Sequence, residues 1–97
     1  MSVLVLFEAT AAAGQEAAME ALFADILPDT RAYEGCESLT AHRNQDAPAE
    51  LVLVERWSSR ERHGDYLRWR EERGDIERLA GLLAGPPVTR YLDDLAI

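Results

Sequence analysis

The sequence of 97 residues predicts an α+β domain, with helices laid on one face of an antiparallel sheet in the order strand, helix, strand, strand, helix pair, strand. Three observations predict it. Two segments alternate with the period of a strand: Val3, Val5 and Phe7 oppose Leu4, Leu6 and Glu8, and Leu51, Leu53, Glu55 and Trp57 oppose Val52, Val54 and Arg56. Two other segments repeat apolar residues at spacings of three and four, the period of a helix. Both faces of the strands carry apolar area, so the sheet needs two covers, and in so short a chain a second subunit must supply one of them.

The first strand spans Ser2–Ala9, and the loop Thr10–Gly14 leads to a helix opening at Gln15. Its stripe is Met19, Leu22, Phe23, Ile26 and Leu27. Pro28 has no amide hydrogen and its ring crowds the preceding turn, so the helix must kink or restart there, running on towards Tyr33, before Gly35 ends it. Cys36–Asn44 and Glu50–Trp57 then form a hairpin across the polar turn Gln45–Ala49.

Ser58 or Ser59 caps the next helix, Arg60–Arg73, with Glu61 in its first turn where a negative charge suits the helix dipole. His63, Tyr66, Leu67 and Arg70 share one face, with Trp69 beside it. Gly74 interrupts, Asp75 caps a second segment with stripe Ile76, Leu79, Leu82 and Leu83, and Gly85, Pro86 and Pro87 end it. Val88–Leu95 is the last strand; the Asp93–Asp94 pair makes it an edge or an exchanging arm. This order is the ferredoxin-like βαββαβ arrangement, one domain over residues 1–97. The sheet face away from the helices is expected to carry Val5 and Leu53 or their neighbours, and two subunits packed sheet to sheet would cover it.

Composition narrows the chemistry. A net charge of −8 argues against nucleic acid or an anionic membrane as partner. All ten basic residues are arginine, which excludes Schiff-base chemistry and a P-loop lysine. Cys36 is the single cysteine, so no internal disulfide can form. The longest apolar run, Val3–Phe7, is far below the roughly 20 residues of a membrane span, and without a leader the expected location is cytoplasmic. No hydrolase, zincin or nucleotide motif occurs, and two histidines without carboxylates at ligand spacing predict no metal site.

What remains is a pocket between sheet and helices that orients a bound molecule and moves a proton. The candidates are His42 and Asn44 on the first hairpin arm, Trp57 at the end of the second, and His63, Tyr66 and Arg70 on the following helix. Each has a plainer alternative: an exposed strand end for His42 and Asn44, a core anchor for Trp57, a solvated ring for His63, a core cap for Tyr66. For Arg70 and Arg73 it is surface pairing with Glu71, Glu72 or Glu77.

Over nearly its whole length the chain resembles the antibiotic biosynthesis monooxygenase family, which includes quinol monooxygenases. The opening VLVLFEA, Gly14, PDTRAYEGC from Pro28 to Cys36, VERWSS from Val54 to Ser59 and LLAGPP from Leu82 to Pro87 carry the resemblance. It implies a ferredoxin-like protomer, a homodimer closed through its sheets as a dimeric α/β barrel, and a pocket for a small aromatic or hydrophobic molecule. It further implies a reaction without metal or flavin, in which an electron-rich phenol is deprotonated and its anion meets dioxygen. Trp57 matches the family tryptophan; His63 and Tyr66 are the implied proton-handling pair, with Trp57, Asn44, His42 and Arg70 around the substrate. Many members carry histidine where this chain has Tyr66, and often again near Arg70 and Glu71. The haem-degrading branch has an asparagine near Phe7 and a histidine near Leu67, so haem chemistry is not expected. A sugar-phosphate isomerase branch shares the ending at Gly85, Pro86 and Arg90 but also relies on the histidine replaced by Tyr66. The alternatives are a non-catalytic barrel that binds a hydrophobic ligand and an isomerase or cyclase that uses the pocket without oxygen. A buried histidine touching Tyr66 would favour an enzyme; a pocket filled by Trp57 and Trp69 would favour the binder.

Overall fold

The computed structural model describes residues 2–97. Strand β1 (Val3–Thr10) is followed by α1 (Glu16–Ala32), the hairpin β2 (Cys36–Arg43) and β3 (Glu50–Trp57), helices α2 (Arg60–Glu72) and α3 (Asp75–Ala80), and β4 (Val88–Leu92). The four strands lie in the order β2-β3-β1-β4, each neighbouring pair antiparallel. This is the ferredoxin-like fold that the alternation predicts. The last strand is an edge, as expected, but its ladder stops at Leu92 rather than Leu95.

Period-two alternation decides which face each side chain meets. Val5, Leu51, Leu53, Glu55 and Trp57 are all buried beneath the helices, together with Met19, Leu22, Phe23, Ile26 and Leu27 from α1 and Leu79 from α3. The opposite parity, Leu4, Leu6, Val52, Val54 and Leu92, is half-buried on the helix-free face. Val5 and Leu53 therefore belong to the helix side, and it is their neighbours that form the apolar open face. Glu8 pairs with Arg90 at 3.2 Å and Arg56 with Asp94 at 3.1 Å at its margins.

Pro28 stays inside α1, which runs unbroken to Ala32. The carbonyl that loses its partner is that of Ala24, four residues earlier, and both residues are exposed, so water can satisfy it. At the far end Gly35 has φ 98°, and a Cβ there would sit 2.7 Å from Cβ of Arg62. Only glycine lets this turn press against the start of α2. Ser59 caps α2, its side chain accepting from the Arg62 amide. Asp75, expected as a cap, is not one: Gly74 holds the cap position of α3 with φ 82°, which leaves the Asp75 carboxylate free to turn inward.

Candidate functional site

Helix α2 lies over the sheet with His63, Tyr66 and Arg70 facing inward, the spacing of three and four that one helix face requires. Beneath them β3 presents Glu55 and Trp57. Between sheet and helices is a cavity of about 50 Å³. Phe7, Phe23, Leu27, Leu53, Leu67 and Leu79 belong to its apolar wall, and Glu55, His63, Tyr66, Arg70 and Asp75 make its polar one.

The Arg70 side chain is 1% exposed, and the expected surface pairing with Glu71, Glu72 or Glu77 gives way to a buried network. Its Nη1 donates to Oδ2 of Asp75 at 2.8 Å, its Nε to the Tyr66 hydroxyl at 2.9 Å, and its Nη2 to the Ile26 carbonyl and the Thr30 hydroxyl at 2.6 and 2.9 Å. Tyr66 Oη and Thr30 Oγ1 are themselves 2.6 Å apart. One guanidinium thus ties α1, α2 and α3 together. Burial alone would push the Asp75 carboxyl up, but Arg70 and Arg73 outweigh it and hold the group below the usual carboxylate range. Burial pushes the Tyr66 hydroxyl up, against the opposing pull of its Thr30 and Arg70 hydrogen bonds.

The other half of the polar wall is built differently. Glu55 is 4% exposed, and its Oε1 accepts from Trp57 Nε1 at 2.8 Å. Burial raises its pKa, and the indole hydrogen bond only partly offsets this. His63 Nε2 stands 3.9 Å from the same oxygen, while its Nδ1 is 2.7 Å from the Tyr91 hydroxyl on β4. Burial lowers the His63 pKa to about 4, so near neutrality the ring is uncharged. The neutral ring has two tautomers; the one in which Tyr91 donates to Nδ1 places the ring hydrogen on Nε2, on the side of Glu55.

The structure therefore brings together His63, Tyr66 and Arg70 from the sequence-derived set. Trp57 is adjacent but wholly buried behind Glu55, holding that carboxylate rather than lining the cavity. His42 and Asn44 are not brought to it. His42 is exposed on β2, paired with Val52 on the helix-free parity, and its Nε2 meets the Thr40 hydroxyl at 2.8 Å. Asn44 lies just past the end of β2, where its side chain accepts the Asp46 amide at 2.9 Å and so shapes the hairpin turn. Sequence reasoning passed over Glu55, Asp75, Thr30 and Tyr91. Glu55 carried a signal: it is the one charged residue on the Leu51, Leu53, Glu55, Trp57 face. Among the described residues no group of three or more His, Cys, Asp or Glu is arranged to hold a metal ion, and no helix is long and apolar enough to cross a membrane.

The family model described as antibiotic biosynthesis monooxygenase matches residues 2–72. Among solved structures, Rv0793 from Mycobacterium tuberculosis is 26% identical with a TM-score of 0.87, the match covering 100% of this chain and 98% of that one. A Deinococcus radiodurans protein assigned to the same kind of monooxygenase is 18% identical with a TM-score of 0.85, covering 98% and 94% of the two chains. A conserved protein from Methanosarcina mazei is 14% identical, again with a TM-score of 0.85 and coverage of 95% and 91%. No curated protein matches the sequence.

Proposed function

The chain belongs to the antibiotic biosynthesis monooxygenase family, and from that premise we propose that it oxidises an electron-rich phenol or quinol with dioxygen, without a bound cofactor. The observation that carries this reading is the buried His63 ring packed against Tyr66, centroids 6.0 Å apart, at the polar end of an otherwise apolar cavity. Neither Trp57 nor Trp69 fills that space. In the reaction a ring or benzylic carbon bearing two hydrogens, or the tautomeric equivalent, becomes a carbonyl. One oxygen atom of dioxygen enters the product, and the other leaves as water with the two hydrogens. The protein has to hold a flat molecule, part it from its hydroxyl proton and keep bulk water away.

His63 and Tyr66 line the end of the cavity where the substrate oxygen would lie, and the His63 tautomer with its hydrogen on Nε2 can donate to the oxyanion that forms there. Arg70 adds positive charge behind Tyr66, and Trp57 acts one layer back by fixing Glu55. Ligand pockets usually start at about 300 Å³. The cavity of about 50 Å³ must therefore widen to take a substrate.

Dioxygen uptake by the chelator-treated protein, measured with one-ring quinols and with anthrones, tests the reading. We expect uptake on one of these substrates that falls at least about tenfold in Tyr66→Phe or His63→Ala, the low end of what proton-transfer groups contribute. No uptake above the uncatalysed background on any substrate would overturn it and leave the binder or the oxygen-free isomerase. The apolar open face of the sheet supports a homodimer packed through Leu4, Leu6, Val52 and Val54. A protein that sediments as a monomer at micromolar concentration would contradict that.

A further inference from the structure

We propose that Glu55, rather than His63 or Tyr66, takes the proton from the substrate hydroxyl. The proposal rests on the phenol-oxidising reading and deepens it. Of the five polar side chains on the cavity wall, the other four have partners already, Asp75 in Arg70, Arg73 and Arg78. The Tyr66 hydroxyl is engaged twice, by Thr30 at 2.6 Å and by Arg70 at 2.9 Å. Arg70 is a cation with no lone pair to offer. In the tautomer where the Tyr91 hydroxyl donates to His63 Nδ1, Nε2 carries the ring hydrogen and faces Glu55 as a donor.

Glu55 is the acceptor left over. Its Oε1 is fixed by the Trp57 indole N–H at 2.8 Å, so the carboxylate cannot rotate away. Its Oε2 has no hydrogen-bond partner among the described residues, yet no wholly buried side-chain nitrogen or oxygen among them lacks one. Oε2 is thus not sealed off, and Glu55 is among the residues that line the cavity. No cation neutralises it: the neighbouring arginine is matched to Asp75 at 2.8 Å, and the ring 3.9 Å away is neutral. An anion held by one oxygen, with the other turned to an apolar space, is a strong base because its charge is poorly solvated. The step balances as a proton transfer. The substrate O–H bond breaks, its electron pair stays on the substrate oxygen, and the proton goes to Oε2, giving a phenolate and a neutral carboxylic acid. His63 Nε2–H, released from the carboxylate it faced, can turn to the new oxyanion.

The experiment is anaerobic mixing of the full chain with 4-nitrophenol, whose phenolate absorbs in the visible, combined with an infrared difference spectrum. Bound phenolate is expected on the wild type together with a new carboxylic-acid carbonyl band. In Glu55→Gln, which keeps an oxygen for Trp57, the carboxylic-acid band should vanish and bound phenolate should drop at least about tenfold. Equal phenolate on Glu55→Gln, or a wild type that binds only the neutral phenol or none, would overturn the assignment. Phenolate that forms on the wild type but consumes no dioxygen from any quinol when air is admitted would uphold Glu55 and remove the monooxygenase reading instead.

Discussion

Asp75 and Glu55 are each 4% exposed and line the same cavity, but their surroundings are opposite. Asp75 accepts from Arg70 at 2.8 Å, from Arg73 at 3.3 Å and from Arg78 at 3.5 Å. Glu55 has one indole N–H and an uncharged imidazole. Burial works against both anions, and only at Asp75 do cations reverse the effect. A compensated buried charge ties helices together; an uncompensated one weakens the fold and is explained by what it can do to a bound molecule. The cavity thus has a structural end and a reactive end within a single wall.

The largest expected effect comes from breaking the structural end. Arg70→Ala would leave Asp75, Tyr66, Thr30 and the Ile26 carbonyl without their shared donor, and removing one partner of a buried pair costs about 3–5 kcal/mol. Denaturant midpoints check this. A loss below about 1 kcal/mol would mean that Arg73 and Arg78 already hold Asp75.

The reactive end should reveal itself through pH. His63 has its pKa lowered from 6.5 to about 4, so between those values the unfolded chain binds more protons and stability rises with pH, by about 3 kcal/mol for this group. Glu55, with its pKa raised above 4.5, does the reverse: the folded chain binds more protons there, and stability falls as pH rises. In the wild type the two slopes partly cancel. Glu55→Gln should therefore unmask a rise of about 3 kcal/mol from pH 4 to 6.5, and His63→Leu should leave a decline as pH rises past 4.5. Unfolding curves at several pH values would show it, and slopes of the same sign in both variants would defeat the comparison.

A smaller effect belongs to Tyr91→Phe, which removes the hydroxyl 2.7 Å from His63 Nδ1. The expected loss is about 1 kcal/mol. The sharper readout is nitrogen NMR of the ring, where the wild type should hold its proton on Nε2 and the variant should populate both tautomers. An unchanged ring signal would show that something other than Tyr91 sets the tautomer.

Much of this was legible from local pattern. Alternation in β1 and β3, the α1 stripe and a serine cap at Ser58 or Ser59 follow from rules that act within a few residues; the structure has the first two as read and places the cap at Ser59. The site was legible only as far as one element reaches: His63, Tyr66 and Arg70 share a helix face by spacing alone. That they meet Glu55 depends on which sheet face α2 covers, and parity does not say which of two apolar faces is inside. For the same reason His42 and Asn44 could be placed on a common side of their strand but not on the correct side of the sheet. The Arg70–Asp75 pair was hidden because Asp75 lies five positions further on, past the Gly74 turn, so no helical spacing rule links them. Pro28 misled through an exposed carbonyl that water can serve.

The most direct test of the contrast between the two ends is Glu55→Gln measured for stability and proton transfer in one sample. The expected result is a fold at least as stable as the wild type at pH 7, because a poorly solvated charge has gone, together with at least about a tenfold loss of bound phenolate. A variant that loses stability and keeps phenolate formation would contradict it, since Glu55 would then be holding the fold, as Asp75 does.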